Sequence, residues 1–131
     1  MFRLVKIKNG RINVPEMMRL PVTADETYQD GEALIISSGK ATKCSATATP
    51  THICTETRST ASEKDIWVYE ISDGMIFETP ISAAPASLVL GDKVTLHTDG
   101  ASVTATKTNG VATIYDLQGA SAANEKILVK F

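Results

Sequence analysis

The chain repeats one short unit, "GEALIISSG" from Gly31 and "GDKVTLHTDG" from Gly91. Each copy opens on a glycine and an acid, runs through an apolar-rich strand and turns at a second glycine, Gly39 or Gly100. Internal repetition constrains a fold strongly, because each copy must form the same supersecondary unit and bury its apolar face on a neighbour. We set Gly31 on Gly91 and allow one extra residue in the second turn. Thr47 then falls on Thr108, Ile53 on Ile114, Ala61 on Ala122, Ile66 on Ile127 and Val68 on Val129. Strand follows strand in the same order, so duplicated β-units are expected near residues 31–71 and 91–131.

The rest of the chain also reads as strand. Thr, Val, Ile and Ser dominate, and no long 3.6-residue periodicity appears. "FRLVKIK" (residues 2–8) alternates apolar and basic side chains and meets Asn9–Gly10, the strongest local hairpin cue, so "RINV" is expected to pair back before Pro15. "EALIIS", "ATKC", "THICTET", "DIWVYEI", "MIFET", "KVTLHT", "SVTAT", "VATIYDL" and "KILVKF" complete the strands. "ISAAPASL" is an Ala-rich link with room for one helical turn. The expectation is a single all-β domain over residues 1–131, barrel- or sandwich-like, with the two units packed together beside an N-terminal hairpin. Units of about 41 residues are too small to stand alone, so they should share one core.

Chemistry is sparse. With 43% apolar residues in 131, the chain can bury a real core, and a net charge of −2 argues against a nucleic-acid footprint. No apolar run approaches the roughly 18 residues of a membrane helix, and Lys6, Lys8 and Arg11 interrupt any signal-peptide core. Synthesis in the cytoplasm without a signal peptide is expected, with Cys44 and Cys54 reduced, although a hairpin could set them opposite each other. Cys44, His52 and Cys54 match no zinc spacing and lack a fourth ligand. His52 and Cys54, two apart on a strand, do not face each other as a nucleophile pair needs. His97 has no partner in sequence that suggests catalysis. Asp25, Asp30, Asp65, Asp73, Asp92, Asp99 and Asp116 mostly lie in turns, where carboxylates cap the backbone. Phosphate and dinucleotide loops are absent. No catalytic, metal-binding or cofactor-binding residue is expected, and no enzyme.

Contact residues are easier to nominate. Trp67 and Tyr69 share one face of "DIWVYEI"; exposed, they would stack on a sugar or anchor a partner, whereas a central strand would bury them. Met17 and Met18 are adjacent and cannot both enter one core, so a subunit contact there is as reasonable as core filling. Residues 1–20 hold Arg3, Lys6, Lys8, Arg11 and Arg19 against Glu16 alone, and four acids follow at Asp25, Glu26, Asp30 and Glu32. Two solvated patches are the plain reading; the alternative is that opposite patches on neighbouring copies meet around a closed ring, a homotrimer with Phe2, Arg3, Lys6, Lys8, Met17 and Met18 in the contact.

The stretch "RLPVTADETYQDGEALIISSGKATKCSATATPTHICTET" resembles the small capsid decoration, or cement, proteins of tailed phages and prophages. The matching features are the entry Leu20–Pro21–Val22, Thr27–Tyr28, and Asp30–Gly31 through Gly39–Lys40, with "LGDKVTLHTDG" and "EKILVKF" repeating the grammar. Thr51–His52 stands where that family has a glycine, and "SDGMIFETPISAAPASL" has no obvious counterpart. The resemblance implies a β-rich virion protein, without catalysis or cofactor, that binds the major capsid protein lattice outside an assembled head and stabilises it, often as a trimer. A carbohydrate- or receptor-binding module using Trp67 and Tyr69 is the alternative.

Overall fold

The computed structural model describes residues 1–7, 15–44, 46–59 and 64–131. These form strands β1 (Arg3–Ile7), β2 (Met17–Pro21), β3 (Thr27–Tyr28), β4 (Ala33–Ser37), β5 (Lys40–Lys43) and β6 (His52–Cys54). Then come β7 (Arg58–Ser59), β8 (Asp65–Glu70), β9 (Met75–Pro80), β10 (Lys93–Val94), β11 (Ala112–Asp116) and β12 (Lys126–Lys130). The fold is all-β, with no helix among the described residues. One five-stranded antiparallel sheet runs β1-β9-β12-β11-β10, a second runs β2-β8-β6-β4-β5, and β3-β7 form a small ribbon. The two large sheets pack together and neither closes into a barrel.

Alternation explains which strands are central. In β8, Ile66 and Val68 lie in one apolar cluster with Leu34, Cys54, Tyr28, Val22 and Ala41. Tyr69 points the other way, into a cluster with Ala33, Ile53, Phe77, Val94, Ile114, Ile127 and Val129. Ala33 and Leu34 are both fully buried although adjacent, as are Ile53 and Cys54 or nearly so. Successive side chains on a strand point to opposite faces, so the sheet containing β8 is buried on both sides. The expected shared core is therefore present, and it is formed by one side of this sheet against the other sheet.

The repeat is visible in the backbone. Gly31 N–H donates to the Cys54 carbonyl (2.8 Å), Cys54 N–H to Glu32 (2.9 Å) and Thr51 N–H to Leu34 (2.9 Å). Sixty residues on, Gly91 donates to Ile114 (3.0 Å), Ile114 to Asp92 (2.8 Å) and Val111 to Val94 (2.9 Å). The match extends upstream of the expected units. Val22 forms a parallel bridge with Ala41, and Ile81 forms one with Val103. Thr23 N–H donates to Ala41, and Ser82 N–H to Val103. Pro21 opposes Asp65 and Pro80 opposes Lys126 at the same step of the ladder. "LPVT" and "TPIS" are thus equivalent, and the segment that lacked a counterpart in sequence is the opening of a second module. The modules span roughly residues 17–71 and 76–131.

The register also corrects the alignment. Cys54, rather than Ile53, is the equivalent of Ile114; the second module has a longer hairpin (Leu96 to Val103 against Ile36 to Ala41), a shorter run from there to Ile114, and one extra residue between Ile114 and Ile127. Cys54 opposes Val68 and Ile114 opposes Val129, so the Ile66–Ile127 and Val68–Val129 matches stand. A one-residue slip exchanges the two faces of a strand, which is why the hydrogen bonds decide the matter.

Two local expectations change. Residues 81–88 hold no helical turn. Ile81 and Ser82 are tied to Glu125 and Val103, and Leu88 N–H closes a single reverse turn on the Pro85 carbonyl. β1 and β2 lie in different sheets, pairing with β9 and β8. Asn9–Gly10 and "RINV" lie outside the described residues.

Gly31 and Gly91 have φ of 75° and 88°, in the left-handed region, but their surroundings differ. A Cβ on Gly31 would lie 2.2 Å from Met1 Cγ and 3.1 Å from the Phe2 nitrogen, whereas one on Gly91 meets nothing within 4 Å. Gly91→Ala should therefore cost only the conformational strain, about 1–2 kcal/mol, and Gly31→Ala clearly more. Urea unfolding of the two variants checks this. Equal losses would show that the N-terminal segment contributes nothing at that corner.

Candidate functional site

Each module starts on a glycine–acid corner whose acid performs the same task. Glu32 Oε2 accepts the Gln29 N–H at 2.9 Å, and Asp92 Oδ2 accepts the Val89 N–H at 3.0 Å. Each also meets a lysine: Lys43 Nζ lies 3.0 Å from Glu32 Oε1, and Lys107 Nζ 2.6 Å from Asp92 Oδ2. Glu32 is almost wholly buried, and the Lys43 contact is a charge pair without hydrogen-bond alignment. These acids hold turns together, as their position beside glycine suggests.

The other polar candidates are structural too. Asp99 Oδ1 accepts from Ala101 N–H (2.8 Å) and Ser102 N–H (3.1 Å), and the Ser102 hydroxyl donates to its carboxylate. His97 Nδ1 is 3.2 Å from the same carboxylate. Burial alone would raise the Asp99 pKa, but these donors and His97 hold it below its ordinary value. His52 is buried, its Nδ1 2.8 Å from the Thr51 hydroxyl, and desolvation lowers its pKa. Among the described residues, no group of three His, Cys, Asp or Glu could hold a metal ion.

Cys44 and Cys54 are free and buried in different clusters, on opposite faces of the same sheet. They form no disulfide. Burial pushes both thiols up to about 11, which disfavours the reactive thiolate.

The nominated contact residues scatter. Phe2 is buried within the chain: it is 2% exposed, edge-on to Phe131 with ring centres 5.4 Å apart, and its N–H donates to Gly31. An aromatic side chain this apolar is better buried in its own core than held for a partner. Arg3 is exposed and paired with Glu78 at 2.8 Å. Lys6 lies over the Tyr115 ring, 5.7 Å from its centre. Lys8 is outside the described residues. The methionines split as adjacent strand residues must: Met18 is half-buried against the cluster of Leu34, Ile66 and Val68, and Met17 is 46% exposed.

Trp67 and Tyr69 also split, so they form no stacking platform. Tyr69 is buried under the opposing sheet, while Trp67 remains 38% exposed at its margin. The Arg19 guanidinium sits over the indole at 5.4 Å and is ion-paired to Asp65. Met17, Arg19 and Trp67 thus make one surface patch along β2 and β8, the edge strand and its neighbour.

Sequence reasoning missed a larger surface. On the outward side of the β1-β9-β12-β11-β10 sheet lie Arg3, Lys6, Lys93, Lys126 and Lys130, opposed on that side by Glu78 and Asp116. Glu78 is shared by Arg3 and Lys126. Tyr115 is 41% exposed there. The alternation in "KILVK" carries the signal, because Ile127 and Val129 are fully buried and the lysines therefore face out. β1 forms this sheet's edge, as its alternation suggests, with a bulge between Leu4 and Lys6. Bulges and edge cations discourage uncontrolled strand pairing.

A search of family models matches none, and no curated protein sequence matches the chain. Among solved structures, the chain is similar to the N base of the head fibre protein gp8.5 of bacteriophage phi29, with a TM-score of 0.58 at 11% identity. The likeness covers 88% of this chain and 94% of that one, so it takes in both modules. At this identity it is a likeness of fold.

The Asp99 turn supports a pH prediction. A carboxylate whose folded pKa is depressed stabilises above its unfolded pKa, and that contribution is lost as pH falls through the folded value. Asp99→Asn should lower stability at pH 7 by about 1 kcal/mol, the scale of a charge-assisted turn contact. By about pH 3, below the usual carboxylate range, the gap to the parent should shrink. Denaturant midpoints at both pH values check it, and an unchanged gap would contradict it.

Proposed function

We propose that this chain is a non-enzymatic phage virion protein that binds the outside of an assembled head and stabilises the shell. The observation that carries this reading is the fold shared, over most of both chains, with the base of a phage head fibre. The grammar of "RLPVTADETYQDGEALIISSGK" supports it independently, and its equivalent "ETPISAAPASLVLGDKVTL" in the second module strengthens that resemblance. The polar groups also support it, since Glu32, Asp92 and Asp99 serve turns and burial raises the pKa of both thiols. Many weak contacts on a repeating lattice would supply avidity without a deep pocket. In this setting the partner is the major capsid protein, the location is the virion surface, and synthesis is in the host cytoplasm.

Assembled heads of the phage or prophage encoding the chain, mixed with purified protein and sedimented, should carry it down in saturable, stoichiometric amounts. Protein left wholly in the supernatant would sink the proposal.

The homotrimer remains part of the proposal, with a relocated seam. Phe2 is buried and Met18 is half-buried, so we place the seam on Met17 with its exposed neighbours Arg19 and Trp67, away from Arg3 and Lys6 on the other sheet. Light scattering at micromolar concentration should show a trimer for the parent chain and a monomer for Met17→Glu, because a buried unpaired charge is costly. A parent monomer, or a trimer unaffected by the substitution, would remove this seam.

A further inference from the structure

The two modules pack front to back, which leaves one face of the second module without its expected cover. In the first module, the row Ala33, Ile53 and Tyr69 is buried against the second module. The repeated ladder makes Lys93, Thr113 and Lys130 the equivalents of those residues. Lys93 and Lys130 are exposed and Thr113 is half-buried. The same sheet face is therefore a protein-packing surface in one module and a cationic, solvent-facing surface in the other.

We propose that this outward face of the second module docks an acidic surface of another protein. The charge is available: among the described residues, Lys6, Lys93 and Lys130 make no ion pair, and Lys6 rests on the Tyr115 ring. An open depression lined by Asp73, Gly74, Ile76, Tyr115, Lys130 and Phe131 lies on this side, with Ile76 nearly buried at its base. An exposed tyrosine with Lys6 over its ring and Lys130 in the same depression, beside Asp73, combines an anchor with charge steering, the pattern of protein interfaces.

A second copy of the chain fits poorly. The opposing sheet covers this face internally together with the hairpin bearing Asp99 and Gly100, whose carbonyl accepts the Ala33 N–H at 2.7 Å. The equivalent hairpin of the first module, Ser38–Gly39–Lys40, carries a lysine and would bring like charge to Lys93. Nucleic acid fits poorly too, since the chain's net charge is −2 and Glu78 and Asp116 lie within the face. The lysines also stop modules from stacking without end, as polar caps do in repeat proteins.

The proposal rests on the head-binding reading only for the partner's identity, so the test separates the two. Assembled heads are sedimented with the parent chain, with Lys6→Glu/Lys130→Glu, and with Lys40→Glu as a charge-reversal control on the first module. Circular dichroism confirms that all three are folded. The expected result is a loss of about tenfold or more in head affinity for the double variant and none for the control. Parent binding with an unaffected double variant would overturn the face and leave the head-binding reading intact. If the parent itself does not bind heads, that reading fails, and titration with poly-L-glutamate followed by amide NMR decides the face. Shifts centred on Lys6, Tyr115 and Lys130 that vanish in the double variant support it; shifts elsewhere, or none, overturn it. Tighter binding of a single-stranded oligonucleotide at the same residues would overturn the protein-partner assignment. Self-association lost only in the double variant would overturn it in favour of a second copy.

Discussion

The glycine–acid corner is the constraint on which the structure depends. Gly31 and Gly91 take a left-handed conformation that an L side chain enters only with strain, and the next residue uses its carboxylate to close the turn three residues back. This aims the following strand so that the corner's own N–H meets the third strand, at Cys54 or Ile114. Every later pairing in each module inherits that register. Because a strand's faces alternate with a period of two, the corner also decides which residues enter which core.

Two such modules do not meet as mirror images. Equivalent residues, Leu34 and Val94 or Val68 and Val129, lie in different clusters. Tyr28 plugs the first module, with its hydroxyl 2.8 Å from the Ala41 carbonyl and 2.7 Å from Glu26, and Leu88 fills the equivalent place in the second. The first module's outer row supplies part of the second module's core, so the sheet β2-β8-β6-β4-β5 is covered on both sides. Front-to-back packing leaves two unlike ends. One end is the cationic sheet face of the second module and the other is the Tyr28 side of the first, while Met17, Arg19 and Trp67 lie at the junction, on the Tyr69 face beyond the covering sheet. Unlike ends suit a protein that meets different neighbours in different directions.

Much of this was legible in sequence, for identifiable reasons. Strand content follows from β-branched alternation, and the paired glycine–acid corners follow from turn chemistry, which is local. Turn acids such as Asp92, Asp99 and Asp116 were correctly read as backbone caps, since each accepts an N–H two or three residues away. The extent of the repeat was not legible, because "LPVT" and "TPIS" share a backbone role with little shared identity. Nor was the fate of Phe2, Trp67 and Tyr69, whose exposure depends on how far the opposing sheet reaches. Alternation alone reports that two residues share a face. It does not report where the covering layer stops, and here it stops between Tyr69 and Trp67.

Two repeated modules held by one core should open together. Native-state hydrogen exchange at the equivalent ladder amides of Cys54 and Ile114 tests it most directly. Both should exchange only through global unfolding, with the same opening free energy and the same dependence on denaturant. Exchange of Ile114 through a separate opening with lower free energy, while Cys54 stays protected, would show two modules that fold apart and would contradict the account.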